Sequence, residues 1–111
     1  MKQDVKDDDL YIRHIADAIA RIERYLGDMD DYEVFCNDEK THDAVIRQLE
    51  IIGEAAKRVS TEGRAKSVLI PWKDMSGMRD KLIHDYFGVD LFAVWKAAKE
   101  DVPVLKKEIA G

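Results

Sequence analysis

The chain has 111 residues and a formal net charge of −5, with 46% hydrophobic and 37% charged residues. This length predicts one domain over residues 1–111, and the composition is typical of a helical bundle with charged outer faces. A single cysteine, Cys36, excludes a disulfide-framed secreted protein. Residues 1–9 lack the apolar stretch of a signal peptide, and no apolar run approaches the roughly 18 residues of a membrane span. We therefore expect a cytoplasmic protein that does not associate with membranes.

The negative charge weighs against nonspecific binding of nucleic acid, because such binding depends on a basic surface that displaces counterions. An acidic protein can still cut RNA when its cationic groups are gathered in one cleft. A function on RNA therefore requires a local concentration of positive charge in this chain.

The first predicted helix is marked by five apolar residues in steps of 3, 4, 3 and 4, which place them on one helical face. They are Ile12, Ile15, Ile19, Ile22 and Leu26. Aspartates at positions 7–9 precede this pattern, where negative charge favours a helix N-terminus. Gly27 is expected to end the helix.

The second predicted helix has apolar residues in steps of 4, 3, 4 and 3, which favours packing at a shallow angle against another helix. They are Val45, Leu49, Ile52, Ala56 and Val59. Residues 28–40 are interpreted as a connection with a short helical turn over the core at Tyr32, Val34 and Phe35. Residues 60–69 are interpreted as a polar loop.

Pro71 is well placed to open a third long helix, which we expect to run to about Phe87 and to end at Gly88. Asp90 would cap a fourth helix that Pro103 bends or restarts. Its apolar residues are Leu91, Val94, Trp95 and Ala98, followed by Leu105 and Ile109. The prediction is an all-α fold, an antiparallel bundle of four main helices plus short pieces.

The third helix carries the spacing Arg79-x4-His84-x-Tyr86. On an ideal helical wheel Arg79 and Tyr86 lie about 20° apart and about 10.5 Å along the axis, whereas His84 lies about 140° from Arg79. Either the long arginine sweeps across the face, or two copies of the helix meet across a two-fold axis. We favour the second interpretation, because it gathers two Arg79 and two His84 in one cleft.

These residue types suit the cleavage of RNA. A 2′-hydroxyl must lose its proton to attack the phosphate, and the leaving 5′-oxygen must gain one. Histidine, with an ordinary pKa of about 6.5, can perform either transfer near neutral pH. A guanidinium can hold the negative charge of the transition state in a bidentate grip. This chemistry requires neither a metal nor another cofactor.

Four segments of the chain, in this order and with this spacing, resemble the HepT-like branch of the HEPN superfamily. They are DAV at 43–45, IIGEA at 51–55, IPW at 70–72 and MRDKLIHDY at 78–86. The resemblance extends from about Leu10 to Leu105, and its most specific part is Arg-x4-His-x-Tyr.

The resemblance implies an antiparallel HEPN-type bundle of four to five helices, a homodimer with its active cleft at the interface, and a metal-independent endoribonuclease toxin. It implies that Arg79 and His84 are the catalytic residues and that Asp80, at the polar position after the arginine, orients the site. Tyr86 matches the tyrosine to which an MntA-like nucleotidyltransferase antitoxin attaches AMP.

Other interpretations stay open at this point. The bundle would alternatively serve as a non-catalytic accessory subunit of a minimal nucleotidyltransferase, which suits its acidic surface. Glu54 either pairs with a basic group near the cleft or is an ordinary solvated charge. The pattern Glu39-x-x-His42 resembles half of a di-iron motif, but it occurs once and near a helix start, so we expect no metal site.

Overall fold

The structure, a computed structural model, describes residues 5–77 and 88–110. These residues form helices joined by turns, which confirms the predicted all-α class. The helices are α1 (Val5–Leu26), α2 (Tyr32–Asn37), α3 (Glu39–Arg58), α4 (Thr61–Ala65), α5 (Trp72–Ser76), α6 (Leu91–Lys96) and α7 (Val102–Ala110), with a π-helical turn (Ala97–Asp101) between the last two.

The two longest helices, α1 and α3, pack against each other and supply most of the core. Their predicted apolar stripes are the buried ones, with Ile15, Leu49 and Ile52 fully inaccessible to solvent. The start of α1 meets the end of α3, because Asp8 hydrogen-bonds to Ser60, so the two helices run antiparallel. Each large aliphatic side chain buried in this way contributes about 1.5–3 kcal/mol to stability.

The C-terminal helices close the core from the other side. Val94 and Leu105 are fully buried, and α7 packs along α1 with Lys106 Nζ 2.8 Å from Glu23 Oε2. Lys99 Nζ donates a hydrogen bond of 2.9 Å to the Met29 carbonyl, which ties the C-terminal stretch to the turn after α1.

Several helix ends agree with the sequence prediction. Gly27 follows α1 with φ +54°, the left-handed conformation that glycine adopts at a helix C-terminus without steric cost. Asp90 Oδ1 accepts the Ala93 amide at 3.1 Å and caps α6. The short helix predicted between the first two long ones is α2, which places Phe35 in the core with no exposed surface.

The third helix differs from the prediction of a helix from Pro71 to about Phe87. Pro71 is the N-cap rather than the first helical residue, and α5 ends at Ser76 with Gly77 as its C-cap. The Gly77 amide still donates to the Lys73 carbonyl at 3.0 Å, but its ψ of −2° leaves the α-helical geometry. Glycine lowers helix propensity by about 1 kcal/mol relative to alanine, which favours a stop here but does not require one, since Gly53 lies within α3.

The restart predicted at Pro103 is confirmed, because α7 begins at Val102 after a π-helical turn that separates it from α6. The Val102 amide donates to the Ala97 carbonyl, five residues back. A proline has no N–H to donate, and its ring clashes with the carbonyl four residues earlier in an α-helix. Here that carbonyl belongs to Lys99, inside the wider π turn, so the backbone accommodates Pro103 and continues into α7.

The region from 60 to 69, interpreted as a polar loop, contains the short helix α4, which is fastened to α1. Asp8 is only 6% exposed, and its Oδ1 accepts the Ser60 amide at 2.8 Å. The Ser60 hydroxyl donates to Asp8 Oδ2 and accepts the Gly63 amide at 3.0 Å, which caps α4. The helix α1 starts at Val5, so Asp8 lies within the helix rather than ahead of it. Its carboxylate makes a tertiary contact with Ser60.

Gly63→Ala is expected to destabilise the protein despite the higher helix propensity of alanine. A Cβ at position 63 would lie 2.5 Å from Asp8 Oδ2 and 3.0 Å from Val59 Cγ1. Because Asp8 is held by Ser60, overpacking should cost about 1–3 kcal/mol in a urea unfolding curve. The control adds the same change to Asp8→Ala, where only the 3.0 Å contact with Val59 remains and Gly63→Ala should cost less than in the wild type. Stabilisation of the wild type by Gly63→Ala would contradict the close packing.

Asp38, the N-cap of α3, should make stability depend on pH in the acid range. Hydrogen bonds from the Thr41 side chain and from the Thr41 amide lower the pKa of Asp38 below its ordinary value of 3.8. A lowered pKa gives a contribution that is present above the unfolded-state value and is lost as pH falls through the folded-state value. The variant Asp38→Asn is a suitable reference, because an asparagine side chain also caps a helix but does not titrate.

We therefore expect the difference in urea midpoint between wild type and Asp38→Asn to stay constant near neutral pH. As pH falls below 3.8, the midpoint of the wild type should fall relative to that of the variant. A difference that is the same at pH 7 and at pH 3 would show that the carboxylate is not stabilised by this cap.

Candidate functional site

The four predicted site residues, Arg79, Asp80, His84 and Tyr86, lie outside the described residues. Their predicted positions on a helical wheel therefore stay predictions. The structure does define the two flanks of this segment, at Gly77 and at Gly88, and a groove on the face of the long helices.

The N-terminal flank is α5, which is fixed to α3 by buried side chains. Trp72 and Met75 are 8% and 1% exposed, and the Trp72 indole donates a hydrogen bond of 3.0 Å to the Ser67 carbonyl. Ile70 is buried beside them. The chain therefore reaches Gly77 at a position that is set by packing on α3.

The C-terminal flank returns to the core within a few residues. Val89 packs against the core, Asp90 caps α6, and Val94 is fully buried. Both ends of the segment that carries the predicted motif are thus anchored by apolar contacts and by helix caps.

A groove of about 460 Å³ lies between α1 and the outer face of α3. Its polar lining comprises Tyr11, His14, Arg47, Glu50, Glu54 and Arg58. Ile51 and Ala55 add apolar surface to it. The rings of Tyr11 and His14 meet edge to face, with centroids 6.3 Å apart. The groove thus combines aromatic faces and guanidinium groups, which can bind a polar organic anion, with carboxylates, which accept hydrogen bonds from donor groups.

The family of the chain follows from comparison with known proteins. Residues 15–110 match the family model described as Ribonuclease HepT-like. The chain belongs to the HepT-like ribonuclease family. The match covers most of the chain, including α1 from residue 15 onward, all of α3, both flanks and residues 78–87.

Individual relatives agree with this assignment. A protein of Thermococcus cleftensis named "Probable ribonuclease HepT" is 49% identical over 106 residues, which cover 96% of this chain and 93% of that protein. A protein of Methanocaldococcus jannaschii named as a candidate RNase is 46% identical over 107 residues, covering 96% of this chain and 89% of its own length. Another from the same organism, named as a gamma-glutamylcyclotransferase and candidate RNase, is 47% identical, and the chain covers 47% of it.

No solved structure matches this HepT-like chain. Within residues 5–77 and 88–110, no helix is long and apolar enough to cross a membrane.

The sequence did not predict this groove and left the role of one of its residues, Glu54, open. Glu54, for which the sequence allows either a charge near the cleft or a solvated charge, is exposed and lines the groove beside Arg47 and Arg58. Arg47 and Tyr11 were not predicted. A usable signal exists in the steps of 4, 3 and 4 from Arg47 through Ile51 and Glu54 to Arg58, a second stripe on α3 roughly opposite its buried one.

The histidine of the metal-like pattern Glu39-x-x-His42 packs against an aromatic residue of the core. The His42 side chain is 13% exposed and its ring packs edge to face on Phe35, with centroids 6.0 Å apart. Its Nδ1 lies 3.2 Å from Asp43 Oδ1, a distance suited to an ion pair, although the atom lacks hydrogen-bond geometry. Nowhere in the described ranges do three potential metal ligands come together.

Proposed function

We propose that this HepT-like protein is a metal-independent endoribonuclease toxin that cuts RNA with Arg79 and His84. The observation that carries the proposal is the match of residues 15–110 to the HepT-like ribonuclease family, which includes the whole Arg79-x4-His84-x-Tyr86 motif. The relatives from Thermococcus cleftensis and Methanocaldococcus jannaschii are named as ribonucleases, which supports the ribonuclease part of the proposal.

In the proposed reaction a 2′-oxygen attacks the adjacent phosphorus and the bond to the 5′-oxygen breaks. His84 takes the 2′-hydroxyl proton, and an acid, for which the second His84 of a homodimer is suited, gives a proton to the 5′-oxygen. The products are a 2′,3′-cyclic phosphate and a 5′-hydroxyl. Arg79 holds the additional negative charge of the transition state, and Asp80 orients the site.

A homodimer is part of the proposal, because one helix does not aim Arg79 and His84 at the same point on an ideal wheel. Two protomers related by a two-fold axis would bring two copies of each residue into one cleft. The cations gathered there would offset the net charge of −5 that otherwise repels RNA.

An MntA-like nucleotidyltransferase antitoxin would neutralise the toxin at Tyr86. The phenol oxygen attacks the α-phosphorus of ATP, pyrophosphate leaves, and the phenol proton is lost. The product places a phosphodiester anion on the same predicted stripe as Arg79, where it would occupy the site of the RNA phosphate while the nucleotide covers it.

The ribonuclease proposal is tested by incubating the protein with RNA in EDTA. Wild type should cleave, and His84→Ala should lose about 10²- to 10⁴-fold in rate. Arg79→Gln should also lose activity, whereas the matched change Arg24→Gln, at an exposed position on the outer face of α1, should not.

Equal cleavage by wild type and His84→Ala would refute the catalytic assignment, and a requirement for an added divalent metal would refute the metal-independent mechanism. A protein that binds the transferase but never cuts RNA would instead be the accessory subunit that the sequence also allowed.

Coexpression with a nucleotidyltransferase encoded beside this chain is expected to add one adenylyl group to Tyr86. Intact-mass and peptide mass spectrometry should find the adduct on wild type and not on Tyr86→Phe. The modified protein should no longer cleave RNA. An adduct at another residue, or none at all, would overturn this part of the proposal.

A further inference from the structure

We propose that the groove between α1 and α3 binds a short stretch of single-stranded RNA, with a base stacked on one ring of the Tyr11–His14 pair and a phosphate held by Arg47. The proposal rests on the ribonuclease function proposed above and adds a substrate-binding surface built from residues outside the Arg79–Tyr86 motif. These three residues are supplied by the two helices that form the core, so the surface is present whenever the protein is folded.

The size and shape of the groove suit a nucleotide. Its volume of about 460 Å³ lies within the roughly 300–1,000 Å³ typical of pockets for small organic ligands. Ile51 and Ala55 give it apolar surface, against which a base can pack.

The aromatic pair supplies the sequence-tolerant part of recognition. Tyr11 is partly buried against the core and His14 is exposed, with their ring planes inclined at 74°. A base that stacks on one ring therefore meets the edge of the other. Stacking of a base on an aromatic side chain is worth about 1–3 kcal/mol and does not depend on base identity.

The charges of the groove are favourable in comparison with the rest of the chain. Two arginines and two glutamates in the lining sum to zero, whereas the whole chain carries −5. Among residues 5–77 and 88–110, Arg47 makes no hydrogen bond or ion pair, so its guanidinium can bind a phosphate without giving up a described partner.

The order of charges along α3 also suits a nucleic-acid strand. Arg47 and Arg58 lie at the two ends of the lining, about 16 Å apart along the helix axis, with Glu50 and Glu54 between them. A phosphate would lie toward Arg47, and amino groups of the bases would face the carboxylate of Glu54.

A second copy of the chain is a less suitable occupant. The cores of protein–protein interfaces are depleted in glutamate, whereas tyrosine and arginine are enriched there. Four of the eight residues that line the groove are charged, and two of these are glutamates.

Binding is measured by fluorescence anisotropy with a short 2′-O-methyl oligoribonucleotide, which lacks the nucleophile and is not cleaved. The affinity of the wild type is expected to fall with salt. Arg47→Gln should bind more weakly and lower the slope of log K against log salt by about 0.7, the value for one phosphate contact on a single strand. The matched control, Arg24→Gln on the outer face of α1, should keep the wild-type slope.

The stacking contribution is tested at two positions. Tyr11→Leu should weaken binding about 5- to 100-fold, whereas Tyr11→Phe, which keeps the ring, should bind as wild type. His14→Leu changes an exposed side chain and provides the same test if Tyr11→Leu fails to fold. Circular dichroism and thermal unfolding of each variant separate a loss of binding from a loss of structure.

The outcomes distinguish this proposal from the catalytic one. If wild type cleaves RNA but the Arg47 and Arg24 variants have the same salt slope, the groove assignment is wrong and the ribonuclease proposal stands. If wild type never cleaves but its binding depends on Arg47 and Tyr11, the groove assignment stands and the catalytic proposal is wrong. If Arg47→Gln changes only the dimerisation constant in sedimentation, the groove is an interface between copies and the RNA proposal is overturned.

Discussion

The antiparallel packing of α1 against α3 is the constraint on which the rest of the structure depends. Each helix buries one apolar stripe, and side chains such as Ile15 and Leu49 are removed completely from solvent. Because a helix repeats every 3.6 residues, fixing the buried stripe also fixes which residues face outward. The groove with Tyr11 on α1 and Arg47 on α3 is therefore a geometric consequence of the core and needs no separate folding element.

The same helix pair positions the flanks of the motif segment. The end of α3 is joined to the start of α1 through Asp8 and Ser60, and α4 begins at that joint. The chain then returns to α3 through Trp72 and Met75 and reaches Gly77. A substitution at Asp8 would thus act on the path toward the motif as well as on stability, although Asp8 itself is remote from it in sequence.

Much of the helical architecture could be predicted, because amphipathic stripes and caps are local properties of the sequence. The stripes of α1 and α3, the glycine that ends α1 and the cap at Asp90 are of this kind. The burial of Asp8 could not be predicted, because its partner Ser60 is 52 residues away and a carboxylate in a first helical turn also suits an ordinary end charge. The helix stop at Gly77 was missed for a similar reason: a glycine within a periodic pattern is tolerated in many helices, and only the tertiary context decides.

The net charge of −5 was the property that agreed least with a function on RNA. The distribution of the charges over the surface matters more for RNA binding than their sum. The outer face of α3 mixes arginine and glutamate in one groove, where the lining sums to zero. A surface that is negative elsewhere repels duplex and structured RNA, whose binding depends largely on backbone phosphates. A single strand offers bases as well as phosphates, and stacking on Tyr11 or His14 is not weakened by a negative surface. An acidic protein of this design would therefore select exposed single-stranded segments. Only in such segments can base stacking add binding energy to the phosphate contacts of one or two arginines.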